Sequence, residues 1–175
     1  PHVAIDRLGN FAVSWTMTSD PNYYVPNTLF VSAEVKVFDA NRNVLFDENE
    51  LPFAGGGAGD TSVAFDSNSN LAMAWEELAD SDHIGTGTTG IYACEWEIFQ
   101  RDAQNNIVTT AAGAPVLSGA VLREKFRVNS ASMDITTQTE WPGGQWYPQI
   151  AMDADGDLTV TYQGYGPDVS VNAYI

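Results

Sequence analysis

Acidic and amide side chains at alternate positions form two series with the spacing of oxygen ligands in a calcium loop. The series are Asp153, Asp155, Asp157 and Asp66, Asn68, Asn70. Calcium prefers clustered carboxylate and carbonyl oxygens, so these residues predict calcium as a cofactor. The alternative is a hairpin turn, in which Asp and Asn side chains bond their own backbone. The turn is favoured, because the places where a calcium loop needs glycine and glutamate hold other residues.

Two carboxylates have a spacing that glycoside hydrolysis could use. Glu95 and Glu97 flank Trp96 and share one face of a predicted strand, about 7 Å apart. Glycosidases place their two carboxylates about 5–10 Å apart, and Trp75 and Trp96 could stack on a sugar. The alternative is that the tryptophans belong to the core and the carboxylates to an acidic surface. That alternative is favoured, and we predict no catalytic residue.

An aromatic segment at 141–148 is the third candidate site. Trp141, Trp146 and Tyr147 lie within seven positions, among proline and glycine residues typical of a loop. Exposed aromatic rings on a loop could bind a glycan or a neighbouring subunit. The alternative is that the rings close the end of a β-sheet, since Trp is usually mostly buried.

The composition excludes several classes of partner and site. The 175 residues include 23 acidic and 7 basic ones, a net charge of −16, which disfavours nucleic acid and anionic membranes as partners. No apolar run is long enough for membrane insertion. The single cysteine, Cys94, excludes a disulfide framework and is predicted to be a small buried residue. His2 and His83 match no zinc or serine-hydrolase motif.

An internal repeat must position all of these residues. Segments 3–15, 63–75 and 150–162 share one pattern: an aliphatic residue, Ala, an apolar residue and Asp, then a turn, then alternating residues that end in Trp or Tyr. Turn residues between two alternating runs predict a β-hairpin. Residues 52–60, which include a run of glycines, are predicted to form a turn as well.

After each turn, bulky and small residues alternate, so the strand has a bulky face and a small face. The bulky face carries Phe11, Val13, Trp15, then Leu71, Met73, Trp75, then Leu158, Val160, Tyr162. The small face carries Ala12, Ser14, then Ala72, Ala74, then Thr159, Thr161. This pattern favours strands that lie between two packed sheets.

A second hairpin follows each first one. Residues 33–39 alternate before an Asn-rich turn and a new strand, and 94–99 do the same before 102–106 and the predicted strand Ile107–Val108. Asp6 to Asp66 is 60 positions and Phe38 to Phe99 is 61, so the two motifs advance together. We predict unit 1 at 1–60, unit 2 at 61–147 with an insertion within 109–147, and the start of unit 3 at 148–175.

Two hairpins per unit predict an all-β fold of four-stranded, blade-like sheets, β-propeller-like and incomplete at about two and a half units. The pattern resembles the tandem repeats of very large secreted or surface-attached bacterial proteins. The residues that carry this resemblance are Phe126–Asn129, Gln145, Pro148, 150–157 and 31–40. The hairpins also resemble those of sialidase propellers, but Ala4, Ala64 and Ala151 stand where that pattern has Ser or Thr.

The resemblance implies a non-enzymatic module with a structural, adhesive or assembly role, secreted or at the cell surface. Its expected partners are other repeats of the same polypeptide or neighbouring subunits, because two and a half blades leave open sheet edges. The alternative function is a carbohydrate-binding or glycan-hydrolysing propeller fragment, with glycan as the partner.

Overall fold

The structure, a computed structural model, describes residues 1–18, 31–48, 58–77, 90–128, 145–164 and 172–173. These residues form strands and turns, with no helix among them. The strands are β1 (His2–Ile5), β2 (Phe11–Thr18), β3 (Val31–Phe38), β4 (Val44–Glu48), β5 (Ala58–Phe65), β6 (Leu71–Glu77), β7 (Gly90–Phe99), β8 (Leu117–Arg127), β9 (Gln145–Met152), β10 (Leu158–Gly164) and β11 (Asn172–Ala173). The predicted all-β class is confirmed.

The strands form three antiparallel sheets, each in chain order. Sheet 1 is β1-β2-β3-β4, sheet 2 is β5-β6-β7-β8, and sheet 3 is β9-β10-β11. The predicted pairing of hairpins into four-stranded sheets is therefore observed in sheets 1 and 2. Short turns join β1 to β2, β3 to β4, β5 to β6 and β9 to β10, and we call the side of the sheets that carries them the turn edge. The opposite side is called the loop edge, and its connections lie outside the described residues.

The sheets stack face to face in one repeating way. The first strand of sheet 2, β5, packs on β1, β2 and β3, and the first strand of sheet 3, β9, packs on β5, β6 and β7. One apolar cluster lies between sheets 1 and 2 and joins Leu71, Met73 and Trp75 to Ala12 and Val35. A second cluster lies between sheets 2 and 3, where Val160, Ile150 and Tyr162 meet Ala74 and Ala93. Each interface thus packs a bulky face on a small face.

Among the described residues, sheet 2 is the only sheet with both faces covered. All seven residues of β6 are buried, which confirms the predicted sandwiched strand at this position. In β2 the small-face residues Ala12 and Ser14 are buried, while Phe11, Val13 and Trp15 are half-buried. In β10 the bulky-face residues Leu158 and Val160 are buried and Thr159 on the small face is exposed, because the bulky face lies against sheet 2. The alternation was therefore read correctly, but full burial also needs a neighbouring sheet on each side.

The second hairpin does not advance in step with the first. Phe38 lies opposite Phe11, but the residue opposite Leu71 is Trp96 rather than Phe99. β7 extends three residues beyond Trp96, as far as Phe99. Phe38 and Phe99 therefore do not occupy equivalent places in their sheets, although their spacing of 61 nearly equals the spacing of 60 between Asp6 and Asp66. Cys94 lies on the bulky face and is buried, as predicted.

The fourth strand of sheet 2 also lies elsewhere than predicted. Ile107–Val108 is not the strand next to β7; that strand is β8, and residues 100–116 form an excursion before it. Within the excursion, Val108 N–H donates to the Gln100 carbonyl, Val116 N–H to Val108, and Gln100 N–H to Val116, at 2.8, 2.9 and 2.9 Å. This closed ring of hydrogen bonds satisfies backbone N–H and C=O groups that a simple hairpin would have paired with a neighbouring strand.

Candidate functional site

Five turns that begin with Asp and share one geometry line the turn edge. They span 6–10, 39–43, 66–70, 102–106 and 153–157, and a sixth turn with the same backbone hydrogen bonds, at 110–114, begins with Thr110. In each, the N–H of the first residue donates to the carbonyl of the fifth, and the N–H of the fourth donates back to the first. The fourth residue has a positive φ, between 62° and 94°, which Gly9 and Gly156 adopt without strain. One local hydrogen-bond pattern therefore recurs in all three sheets.

The first Asp of each turn is held by its own backbone. Asp66 Oδ1 accepts the N–H groups of Asn68 and Asn70 at 2.7 and 2.8 Å, and Asp66 Oδ2 accepts the Asn70 side-chain amide at 2.8 Å. Asp153 Oδ1 likewise accepts the N–H groups of Asp155 and Asp157. Within the described ranges, no group of three His, Cys, Asp or Glu side chains could hold a metal ion. The geometry of the candidate calcium residues is that of hairpin turns.

The turn at 153–157 departs from the others at one position. Four turns end in Asn, whose side-chain amide donates to the leading Asp. These donors have an electrostatic effect, since hydrogen bonds from Asn43 hold the pKa of Asp39 below its usual value. At Asp157 a second carboxylate takes the place of the amide. The turn of sheet 3 therefore lacks one hydrogen bond that the others have.

Asp157→Asn is expected to raise the free energy of unfolding by about 1 kcal/mol, because it supplies the missing donor and removes a like charge. A thermal melt should show a rise of roughly 2–4 °C. Asn70→Asp is the matched reverse change and should destabilise the chain. The melts are run in EDTA and in calcium. A calcium-dependent rise in the melting temperature of the parent that Asp157→Asn removes would contradict this expectation and establish 153–157 as a calcium site.

The glycosidase pattern is divided between two faces of sheet 2. Glu95 and Glu97 lie on the small face, whereas Trp75 and Trp96 lie in the core between sheets 1 and 2. Arg123 Nε lies 3.2 Å from Glu95 Oε1, without hydrogen-bond geometry, and the Ser118 hydroxyl donates to Glu97 at 2.5 Å. The two carboxylates and the two indole rings therefore do not form one sugar-binding cleft.

Burial is the main influence on Glu95. It raises the pKa of this carboxyl above its usual value, and the nearby Asp66 carboxylate adds to the rise, whereas the Arg123 guanidinium lowers it. A raised pKa means that the folded state holds the proton more tightly than the unfolded chain. The contribution of Glu95 to stability therefore becomes more favourable as the pH falls through the raised pKa.

The loop edge holds a buried carboxylate that joins sheets 2 and 3. Glu76, at the end of β6, accepts backbone hydrogen bonds from Tyr147 on β9 and from Asp60 on β5, and burial and Asp60 raise its pKa. Gly59 makes room for it, because a Cβ there would lie 2.7 Å from Glu76 Cδ. Residues 58–60, predicted as part of a turn, are in fact the start of β5. No sequence pattern pointed to Glu76 as a link between sheets.

Tyr147 is an exposed aromatic residue in an uncommon backbone conformation. Its φ is 56°, a region that costs a non-glycine residue about 1–3 kcal/mol, and 56% of its surface is accessible. The hydrogen bond from its N–H to Glu76 holds this conformation. Trp146 beside it is half-buried, and Trp141 lies outside the described residues. Of the three predicted ligand-binding residues, the structure thus exposes Tyr147.

A buried ion pair lies close to Glu76 on the loop edge. Lys125 Nζ on β8 lies 2.5 Å from the Glu77 carboxylate and 4.4 Å from the centre of the Tyr92 ring. Glu77 is 1% exposed. The pair ties the outer strand of sheet 2 to β6, and its two residues are 48 positions apart, so neither could be found from local sequence.

The bulky face of sheet 1 is an apolar surface that the described residues leave open. Val3 and Ile5 on β1 are 62% and 70% exposed, and Phe11, Val13 and Trp15 on β2 are half-buried beside them. On β3 the same face turns polar, with Lys36 and Asp47 paired at 2.8 Å. An apolar surface bordered by charge is typical of an interaction site.

No protein-family model matches the chain, and no curated protein matches its sequence. Among the described residues there is no helix long and apolar enough to cross a lipid bilayer. Over the described residues, the architecture is three antiparallel sheets, of which sheet 1 has an open apolar face.

Proposed function

We propose that this chain is a non-enzymatic, propeller-like repeat module with a structural, adhesive or assembly role outside the cell. The observation that carries the proposal is the open bulky face of sheet 1. In sheet 2 the equivalent repeat positions Val63, Leu71, Met73 and Trp75 are buried. Covering the open face of sheet 1 in an assembly would stabilise the assembly, because each Å² of apolar surface removed from water contributes roughly 25 cal/mol.

Equivalent repeat positions differ in exposure between sheets 1 and 2. Val3 is 62% exposed, whereas Val63, 60 positions later, is 6% exposed. Trp15 is half-buried, whereas Trp75 is fully buried. The same residue types therefore form a core in sheet 2 and a surface in sheet 1, and the difference is the presence of a neighbouring sheet.

The charge supports an extracellular assembly role. A net charge of −16 opposes binding to nucleic acid and keeps the chain soluble despite the open face. On β8, Arg123 is exposed at the outer edge of sheet 2, and a charge on an edge strand opposes unspecific strand addition.

The proposal predicts that the purified chain self-associates as its concentration rises. Sedimentation velocity should reveal dimers or larger species at up to roughly millimolar concentration, where even an interface of about 4 kcal/mol is populated. Val3→Glu with Ile5→Glu should abolish them, and Leu122→Glu, on the exposed strand β8, should not. A strict monomer at every concentration would contradict the proposal.

The alternative is a carbohydrate-binding role, and Tyr147 is the observation that favours it. A strained, exposed tyrosine offers a ring on which a sugar could stack. On a glycan array, binding that Tyr147→Ala removes and Tyr147→Phe keeps would support this alternative. An array on which the parent binds nothing would leave assembly as the function.

A further inference from the structure

The stacking of the sheets has a direction. At both internal interfaces the bulky face of the later sheet covers the small face of the earlier one. The stack therefore has two different ends. One end is the open bulky face of sheet 1, and the other is the small face of sheet 3, where Ala151 and Thr159 are exposed and Thr161 is half-buried.

We infer that the open face of sheet 1 receives the small face of sheet 3 from a second copy of this chain. This inference rests on the proposed assembly function and names its partner. The two ends suit each other because sheet 2 shows both halves of the contact: its bulky face covers Ala12 and Ser14, and its small face is covered by sheet 3. A head-to-tail contact of this kind uses two different surfaces and adds copies in one direction.

Charge favours this pairing over a contact between two copies of sheet 1. The small face of sheet 3 is neutral in its strands, with Gln149, Ala151, Thr159 and Thr161, whereas sheet 1 carries Lys36, Asp47 and Glu34 on the face in question. Each copy has a net charge of −16, so a contact in which one of the two surfaces is neutral limits repulsion. Added salt screens the remaining repulsion and should strengthen the association.

The interface between sheets 2 and 3 supplies the register of the contact. Between sheets 2 and 3, the Ile150 N–H donates to the Ser62 hydroxyl at 3.2 Å. Val3 is the repeat equivalent of Ile150, and Gln149 is that of Ser62, from the spacings of the three Asp turns. The inferred contact therefore brings Val3 of one copy next to Gln149 of another. Both residues are exposed in the single chain.

Engineered cysteines test this register. Val3→Cys and Gln149→Cys are made as separate chains, each with Cys94→Ala, then mixed and oxidised. Positions as close as Ile150 and Ser62 are within reach of a disulfide. The expected product is a dimer that joins the two variants, formed faster at high salt. A chain with both cysteines should give a ladder of oligomers, and Leu122→Cys in place of Gln149→Cys should give no dimer with Val3→Cys.

The outcomes separate this inference from the function on which it rests. Cross-links only between two Val3→Cys chains, together with association of the parent, would overturn the head-to-tail pairing and keep the assembly function. Association of the parent without any cross-link would also overturn the pairing. A parent that stays monomeric, with no cross-link, would overturn both.

Discussion

Lys125→Met is expected to lower the free energy of unfolding by about 3–5 kcal/mol, because it removes the ammonium from a buried ion pair and keeps the buried carboxylate. Glu77 is 1% exposed, and its carboxylate lies 2.5 Å from Lys125 Nζ. The change also removes the cation from the face of the Tyr92 ring, 4.4 Å away. Urea denaturation monitored by tryptophan fluorescence measures the loss.

Lys36→Met is the matched control. Lys36 and Asp47 form an ion pair at 2.8 Å, but about a third of each side chain is exposed, so solvent screens the attraction. Its loss should cost at most about 1 kcal/mol. Glu77→Gln in the Lys125→Met background should restore much of the stability, since it removes the buried charge. Equal, small losses for the two lysine variants would contradict the view that the buried pair matters.

Trp75→Ala is expected to cost about 3–5 kcal/mol, through the lost burial of the indole and the cavity it leaves. Trp75 is fully buried between sheets 1 and 2 and stacks on Tyr92 with ring centres 6.4 Å apart. Differential scanning calorimetry should show a large fall in the melting temperature.

Trp15→Ala changes the same repeat position where no sheet covers it. In dilute solution it should cost only about 1–2 kcal/mol, because the Trp15 side chain is half-buried. At high protein concentration Trp15→Ala should also weaken self-association, because Trp15 lies on the open face. Trp75 is buried inside the chain, so Trp75→Ala has no direct effect on that face. A loss for Trp15→Ala as large as for Trp75→Ala in dilute solution would show that the bulky face of sheet 1 is already covered.

The local features of this fold were predictable because neighbouring residues encode them. The Asp turns follow from side chains that bond backbone groups two and four positions away, and the strands follow from alternation with period two. The sequence also indicated correctly that Leu71, Met73 and Trp75 share a buried face. The register of β7 was missed, because Phe99 resembles Phe38 in its local sequence although the two lie at different places in their sheets.

The candidate site was less predictable. Asp66 and Asp153 were recognised as turn residues with calcium as a possibility, and the structure adds that their oxygens accept backbone N–H groups. The link from Glu76 to Tyr147 and the pair of Glu77 with Lys125 join residues far apart in the chain. Such contacts depend on which strands become neighbours, which no local pattern specifies.

The sequence by itself determined the all-β class, the hairpin turns and the division of each strand into a bulky and a small face. Only the tertiary structure decided which of those faces is covered. Val3 and Val63 have the same side chain, yet one is exposed and the other buried. The physical reason is that alternation specifies a face suited to packing, whereas burial requires another sheet against it, and the stacking of sheets is a contact between distant parts of the chain.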